Sequence, residues 1–424
     1  MTSGISFKLL IGASLVLLCA AAGISGEAPD DALAAQRTEF QQAYGRMADS
    51  AVGEAIDSPA LRGYVLYPYL QAARLGSALR TAGAAVPEAL DEQLAAFISA
   101  NEGQPVVQEL RRSWLAGLAE RAQWNRFLEF HRAASDDIAL RCHGFTARIE
   151  LQQVEALDAE IAKAWLTPRS LPECERAFER LRSAGGLDAA TIEQRARLSL
   201  GQDNADFARQ IARQLPPERA APLLQWAALL ENPKREIDAL IAAPQMAVEA
   251  PALLAGWTRL ARTDRPAAKQ RFAALVQARA LTAHAASPYA LALALALSWD
   301  RDAEALAYFA RVDTADFDET AREWNARAAL WAGDWPQAGL RISALSEESR
   351  RTARWRYWAA RAAAQNGNDA RARELYESLL PDDNYYSAMA AARLKRKVTP
   401  NPQRLTVDAA QLARIESLPA FVRA

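Results

Sequence analysis

Along most of the chain apolar positions recur at intervals of three and four residues, the period of a single buried helix face. No run of alternating β-branched residues bounded by hairpin turns interrupts that pattern, so it predicts an all-α protein. Short breakers separate the periodic stretches: Gly201-Gln202-Asp203-Asn204, Asn232-Pro233, Thr263-Asp264-Arg265-Pro266, Trp299-Asp300-Arg301-Asp302, Gly333-Asp334 and Asn366-Gly367-Asn368. Each contains a Gly, Pro, Asn or Asp suited to ending one helix and capping the next. The predicted building block is therefore an antiparallel helix pair joined by a short turn.

The last two turns reveal a repeat. Trp324, Ala326, Arg327, Ala328, Ala329, Gly333, Ala338 and Leu345 recur as Trp358, Ala360, Arg361, Ala362, Ala363, Gly367, Ala372 and Leu379, a period of 34 residues. That is the tetratricopeptide period. The alanines let neighbouring backbones approach closely, while the Trp rings fill grooves between pairs. Earlier units keep the helix-turn-helix form without strict spacing. The fold class predicted is all-α, a right-handed superhelix of antiparallel helix pairs that is tetratricopeptide-like towards the C-terminus.

The first 26 residues do not fit this pattern. Lys8 precedes an apolar run over residues 9–22, followed by small residues and then the acidic Glu27, Asp30 and Asp31. This is the grammar of a signal peptide, and the run falls short of the roughly 20 residues needed to span a bilayer. Cys19 lacks the small preceding residue of a lipoprotein site, because Leu18 stands there. The expectation is an exported protein with no stable membrane span. Removal of residues 1–26 as a signal peptide would leave the helical remainder as the mature chain. Only Cys142 and Cys174 then remain, and two cysteines in an oxidising compartment are expected to form a disulfide. The segment between them reads as one helix, a Pro-bounded loop at Pro168 and Pro172, and the next helix, so the bridge would staple adjacent helices.

Composition narrows the function classes. With 50 basic and 51 acidic residues the formal net charge is −1, which gives no long-range field for nucleic acid or anionic lipid. Nearly a quarter of the chain is alanine, the best helix former. The only histidines are His131, His143 and His284, with no zinc-ligand spacing, and no phosphate-cradling glycine motif or nucleophile elbow is present. No metal or cofactor is expected. Arg350, Arg351, Arg354 and Arg356 lie among Trp355, Tyr357 and Trp358, which reads as a solvated basic face above groove-filling aromatics. Residues 64–70 (Tyr64-Val65-Leu66-Tyr67-Pro68-Tyr69-Leu70) read as closing the first helix pair, although aromatic rings can also stack on sugars.

These residues do resemble a family. Leu66-Tyr67-Pro68-Tyr69-Leu70, Trp124-Asn125-Arg126-Phe127-Leu128, Trp165-Leu166-Thr167 with Cys174, Glu323-Trp324, Gly333-Asp334-Trp335, Trp355-Arg356-Tyr357-Trp358-Ala359-Ala360-Arg361-Ala362 and the segment 384–394 (Asn384-Tyr385-Tyr386 to Leu394) look like the soluble lytic murein transglycosylases. The resemblance runs from about Ala43 to the end of the chain. It implies a periplasmic location and a large ring-like helical region, then a linker domain, then a lysozyme-like catalytic domain; applied to this chain, it implies a signal peptide over 1–26, a superhelical domain over 27–398 and the truncated start of a linker domain over 399–424. The implied reaction cleaves the β-1,4 bond between N-acetylmuramic acid and N-acetylglucosamine, one Glu serving as acid and then base while the muramyl C6 hydroxyl displaces the leaving group.

The departure from the family lies at the C-terminus. Residues 413–421 (Ala413-Arg414-Ile415-Glu416-Ser417-Leu418-Pro419-Ala420-Phe421) imitate the family's catalytic Glu-Ser segment, but too little chain follows Glu416 to build a cleft around it. Glu416 reads as a surface residue, and no catalytic residue is assigned. Three readings follow. The leading one is a non-catalytic scaffold that contacts peptidoglycan glycan strands and works with a separately encoded catalytic domain. The others are a tetratricopeptide-like adaptor for periplasmic proteins and an enzyme with an unrecognised site.

Overall fold

The computed structural model describes residues 28–46, 56–134, 136–398, 400, 406 and 408–423. The expected signal segment and Cys19 lie outside the described residues, as does much of the stretch 399–407. The described residues contain helices and turns and no strand. They fall into two compact units, Met1–Arg132 with Asp408–Ala424, and Ala133–Val407.

In the first unit the helices are Ala28–Gly45, Pro59–Arg62, Tyr67–Ala82, Glu88–Ala100, Val106–Glu120 and Trp124–Phe130, with Ala409–Glu416 and Pro419–Val422 from the C-terminal segment. The segment 64–70 belongs to its core: Tyr64, Tyr67 and Leu70 are buried, and Tyr67 and Leu70 pack against Ala43 and Leu61. Two buried carboxylates tie these helices together. Asp57 accepts from the Tyr67 hydroxyl at 2.9 Å and from both terminal nitrogens of Arg74 at 2.5 and 2.9 Å. Asp91 accepts from the Trp114 indole at 2.7 Å and from Arg121 at 2.8 and 3.0 Å. A buried charge is tolerated only when paired and hydrogen-bonded in this way.

The second unit is a solenoid. One row of helices, Ala189–Gly201, Pro217–Glu231, Ala250–Thr263, Ala283–Trp299 and Glu319–Ala332, packs each member on the next. Their partners Ala205–Ala212, Pro233–Ala242, Arg265–Ala278, Ala305–Phe309 and Trp335–Ser343 alternate with them along the chain. The pairs Glu319–Ala332 with Trp335–Ser343, and Ala353–Gln365 with Asp369–Glu377, carry the 34-residue repeat.

All six breakers read from the sequence sit at helix junctions. Four use one backbone device. The amides of Asn204, Asp302, Asp334 and Asn368 each donate to the carbonyl five residues earlier, at Ser199, Leu297, Ala329 and Ala363. The residue before each is left-handed: Asp203 and Arg301 at φ 58°, Gly333 at 70° and Gly367 at 76°. This is the six-to-one closure of a helix C-terminus. In three of the four the closing residue at once caps the next helix, Asn204 accepting from Phe207 N, Asp334 from Gln337 N and Asn368 from Arg371 N. A helix end and a helix start thus share two residues, which forces the chain to reverse.

Alanine does the packing in the repeat. Ala329, Ala338 and Ala362, from the helices Glu319–Ala332, Trp335–Ser343 and Ala353–Gln365, are buried together against Leu306, Leu330 and Trp335. Trp358 is half-buried between two clusters, one containing Ala326, Ile342, Leu345 and Trp355, the other Tyr357, Ala360, Tyr376 and Leu379. Small side chains bring the backbones close, and the ring fills the seam between pairs.

The stretch from Ile138 to Leu230 is held differently. Cys142, in the helix Ile138–Glu150, and Cys174, in the short turn Pro172–Cys174, are both fully buried with Cα atoms 4.6 Å apart and sulfur atoms in bonding contact. The helix Ile138–Glu150 packs on this turn and on the helix Glu175–Ser183 that follows it, so the two cysteines lie on neighbouring elements, while the one helix expected between them and the Pro-bounded loop is divided in two, with Leu157–Trp165 as its second part. Left-handed residues Gln152 and Ala156 make the extra reversal possible without a glycine. In the same stretch Arg195 is only 2% exposed. Its guanidinium carbon lies 4.0 Å from the centre of the Trp165 ring, 4.9 Å from Phe207 and 5.1 Å from Phe178. Its nitrogens donate to the carbonyls of Thr167 at 3.2 Å and Arg169 at 3.0 Å, pinning the Pro-bounded loop. Burial pushes its pKa down to about 10, so the side chain is still a cation at neutral pH, held by ring faces and carbonyl dipoles.

Candidate functional site

An open groove of about 510 Å³ runs along the face of the helix Ala189–Gly201 and is lined by Glu193, Gln194, Arg197, Gln202 and Arg219 among others. The 3.6-residue period sets Glu193 and Arg197 one turn apart on that face, and the packed helices bring Arg219 and Glu249 to them. Arg197 donates to both Glu249 oxygens at 2.7 and 2.8 Å and to Glu193 at 3.0 Å, while Arg219 donates to the other Glu193 oxygen at 3.0 Å. The Glu249 hydrogen bonds hold Arg197 further towards its charged form, and Arg197 in turn holds Glu249 below its ordinary carboxylate pKa. Two cations and two anions close on one another. The groove therefore offers polar contacts from side chains that are already paired with one another.

The histidines do not converge. His131 stacks on Phe127, with ring centroids 5.3 Å apart, and His143 lies on the helix Ile138–Glu150. His284 is exposed and meets Asp313 at 3.1 Å. Asp313 lies close to Ser287 and Asp316, yet this is no nucleophile triad: the Ser287 hydroxyl donates to Asp316 and accepts from the Asp313 amide, so it never faces the imidazole. The four residues instead fasten the loop around the turn Thr314–Asp316. Among the described residues no cluster of three or more His, Cys, Asp or Glu could hold a metal, and no helix is long and apolar enough to cross a membrane.

Arg350, Arg351 and Arg354 are exposed, whereas Arg356 is drawn in to the Ser378 carbonyl at 2.9 Å and to Asp382. Trp355 and Tyr357 beneath them are buried, which matches the reading of a solvated basic face over groove-filling aromatics. Glu416 is exposed at the last position of Ala409–Glu416, and the Ser417 hydroxyl donates back to the Arg414 carbonyl at 2.9 Å. Sequence reasoning missed Asp57, Asp91 and Arg195, because nothing in local spacing marks which charged residue of a helix will be buried.

The fold and these surfaces define an all-α protein of stacked helix pairs. No family model matches the chain. Its relatives are proteins named soluble lytic murein transglycosylase: one from Salmonella typhimurium, 26% identical over 80% of this chain and 52% of its own length, and one from Escherichia coli K12, 25% identical over 96% and 63%. Among solved structures it is similar to an inactive mutant of the lytic transglycosylase Slt from Pseudomonas aeruginosa, with a TM-score of 0.68 and 24% identity over 90% of this chain and 62% of that one. It is likewise similar to the 70-kDa soluble lytic transglycosylase of Escherichia coli, with a TM-score of 0.70 and 22% identity over 92% and 62%. The superhelical fold class and the family resemblance read from the sequence thus stand. This chain spans between about half and just under two thirds of the length of those relatives.

Proposed function

We propose that this chain is the superhelical scaffold of a periplasmic lytic transglycosylase system, holding murein glycan strands for cleavage and contributing no catalytic residue from its described residues. Likeness to proteins named murein transglycosylases over 80 to 96% of the chain carries this reading. The chemistry of the carboxylates supports the non-catalytic half. A general acid for glycoside cleavage needs a raised pKa. Among the described residues every carboxylate with a resolved shift is held low instead: Asp57, Asp91, Asp188, Asp238, Glu249, Asp313 and Glu319. For Asp91 burial works to raise the value, and the hydrogen bonds from Arg121 and Trp114 outweigh it. Export by residues 1–26 and a disulfide between Cys142 and Cys174 are part of the same proposal.

The test is incubation of the purified chain with intact murein sacculi. The expected outcome is co-sedimentation without release of 1,6-anhydromuropeptides. Release would overturn the non-catalytic assignment, and failure to co-sediment would overturn the scaffold.

A further inference from the structure

Large rings are scarce on the surface of the second unit, but two indoles lie close together there. Trp299, at the end of Ala283–Trp299, is 45% exposed, and Trp331, in Glu319–Ala332, is 42% exposed. The half-buried Trp324 sits between them, 6.4 Å from Trp299 and 5.9 Å from Trp331 by ring centroids. Packing of the repeat does not demand an indole at 331: the equivalent position one period later is Gln365, which is exposed. Exposed, mutually supported aromatic rings of this kind mark binding surfaces.

Charge says what kind of occupant fits. Arg262 lies over Trp299 at 5.7 Å and Arg301 over Trp331 at 5.4 Å. Both are exposed, and among the described residues neither has a carboxylate partner. The carboxylates of the same turns are already engaged: Asp300 with Arg265, Asp302 with Lys269 at 3.5 Å, and Asp264 with the Ala267 amide at 3.0 Å. Arg327, over Trp324, is paired with Glu323 at 2.6 Å. Two unpaired cations therefore flank two open indoles.

We propose that Trp299, Trp324 and Trp331 with Arg262 and Arg301 form a subsite for an anionic glycan strand, the indoles stacking on sugar rings and the arginines pairing with carboxylates carried on those sugars. This rests on the scaffold reading and names the surface that would do the holding. The rings give the strand apolar faces to lie on, and the guanidiniums set its register by meeting a carboxylate at intervals.

The experiment is calorimetric titration of the full chain with peptide-free strands of alternating N-acetylglucosamine and N-acetylmuramic acid. Trp299→Ala with Trp331→Gln, the latter copying the side chain at the equivalent position, is expected to weaken binding by about tenfold or more. Arg262→Gln with Arg301→Asn, Asn being tolerant of the left-handed backbone at 301, is expected to weaken it by about tenfold and to flatten its salt dependence. Strands whose carboxyls have been reduced to alcohols should bind wild type as weakly as intact strands bind the arginine variant, a comparison that needs no variant to fold. Unchanged affinity of both variants would overturn the subsite while leaving the scaffold reading intact. Absence of any glycan binding by wild type would remove both. Tighter binding of poly-L-glutamate than of the strands would overturn the glycan in favour of an acidic polypeptide.

Discussion

Two stretches of the second unit solve the same problem by different means. Between Glu319 and Leu379 the chain repeats every 34 residues, and its stability is local: a left-handed glycine, an Asx cap and alanines at matching positions serve each pair in turn. Between Ile138 and Leu230 the spacing is irregular and a Pro-bounded loop interrupts the stacking. There the structure relies on links between residues far apart in sequence, the Cys142 and Cys174 contact across 32 residues and Arg195 reaching back 28 and 26 residues to Thr167 and Arg169. Where short-range rules are satisfied at every turn, no cross-link is needed. Where a loop leaves carbonyls and ring faces uncovered, a buried cation and the proposed bridge between Cys142 and Cys174 take over.

The strongest way to break this contrast is to remove the bridge. Replacing Cys142 and Cys174 by alanine should cost about 3.5 kcal/mol by chain entropy, read by urea denaturation of the oxidised protein against the variant. A cost near zero would mean that the irregular stretch does not depend on it. Next is Arg195→Leu, which strands two loop carbonyls and should cost about 3 kcal/mol; faster proteolysis between Leu166 and Leu171 is the matching local readout. In the regular stretch the sensitive property is size, so Ala329→Leu should cost about 2 kcal/mol by forcing three helices apart, and chemical denaturation would also show whether the loss stays within that repeat. The smallest expected effect is Gly333→Ala at φ 70°, about 1 kcal/mol from the left-handed backbone alone, measured as a modest fall in melting temperature.

Legibility in the sequence follows the same division. The turns at Gly333-Asp334 and Asn366-Gly367-Asn368 announce themselves, because glycine and Asx are the residues that left-handed closure and capping prefer. The same closure at Asp203 and Arg301 was placed as a turn, but its backbone form was hidden, since Arg is a poor marker of positive φ. Cys142 and Cys174 lie together, and the sequence shows a helix before the Pro-bounded loop, but not its division into Ile138–Glu150 and Leu157–Trp165, because that break depends on left-handed Gln152 and Ala156. Of the candidate site little was legible. The basic run at Arg350 is conspicuous in sequence and unremarkable in space, whereas Trp299 is unremarkable in sequence and comes within reach of Trp324, the neighbour of Trp331, only because two helices pack.

What the sequence determined alone is what depends on neighbours within one turn: the helices, their caps, the reversals and the alanine faces. What the tertiary structure decided is which charged side chains are buried, as Asp57, Asp91 and Arg195 are, and which rings are left open to solvent. Helix formation is governed by contacts three and four residues apart, while burial is a property of the stack, set by helices that the chain reaches only many residues later.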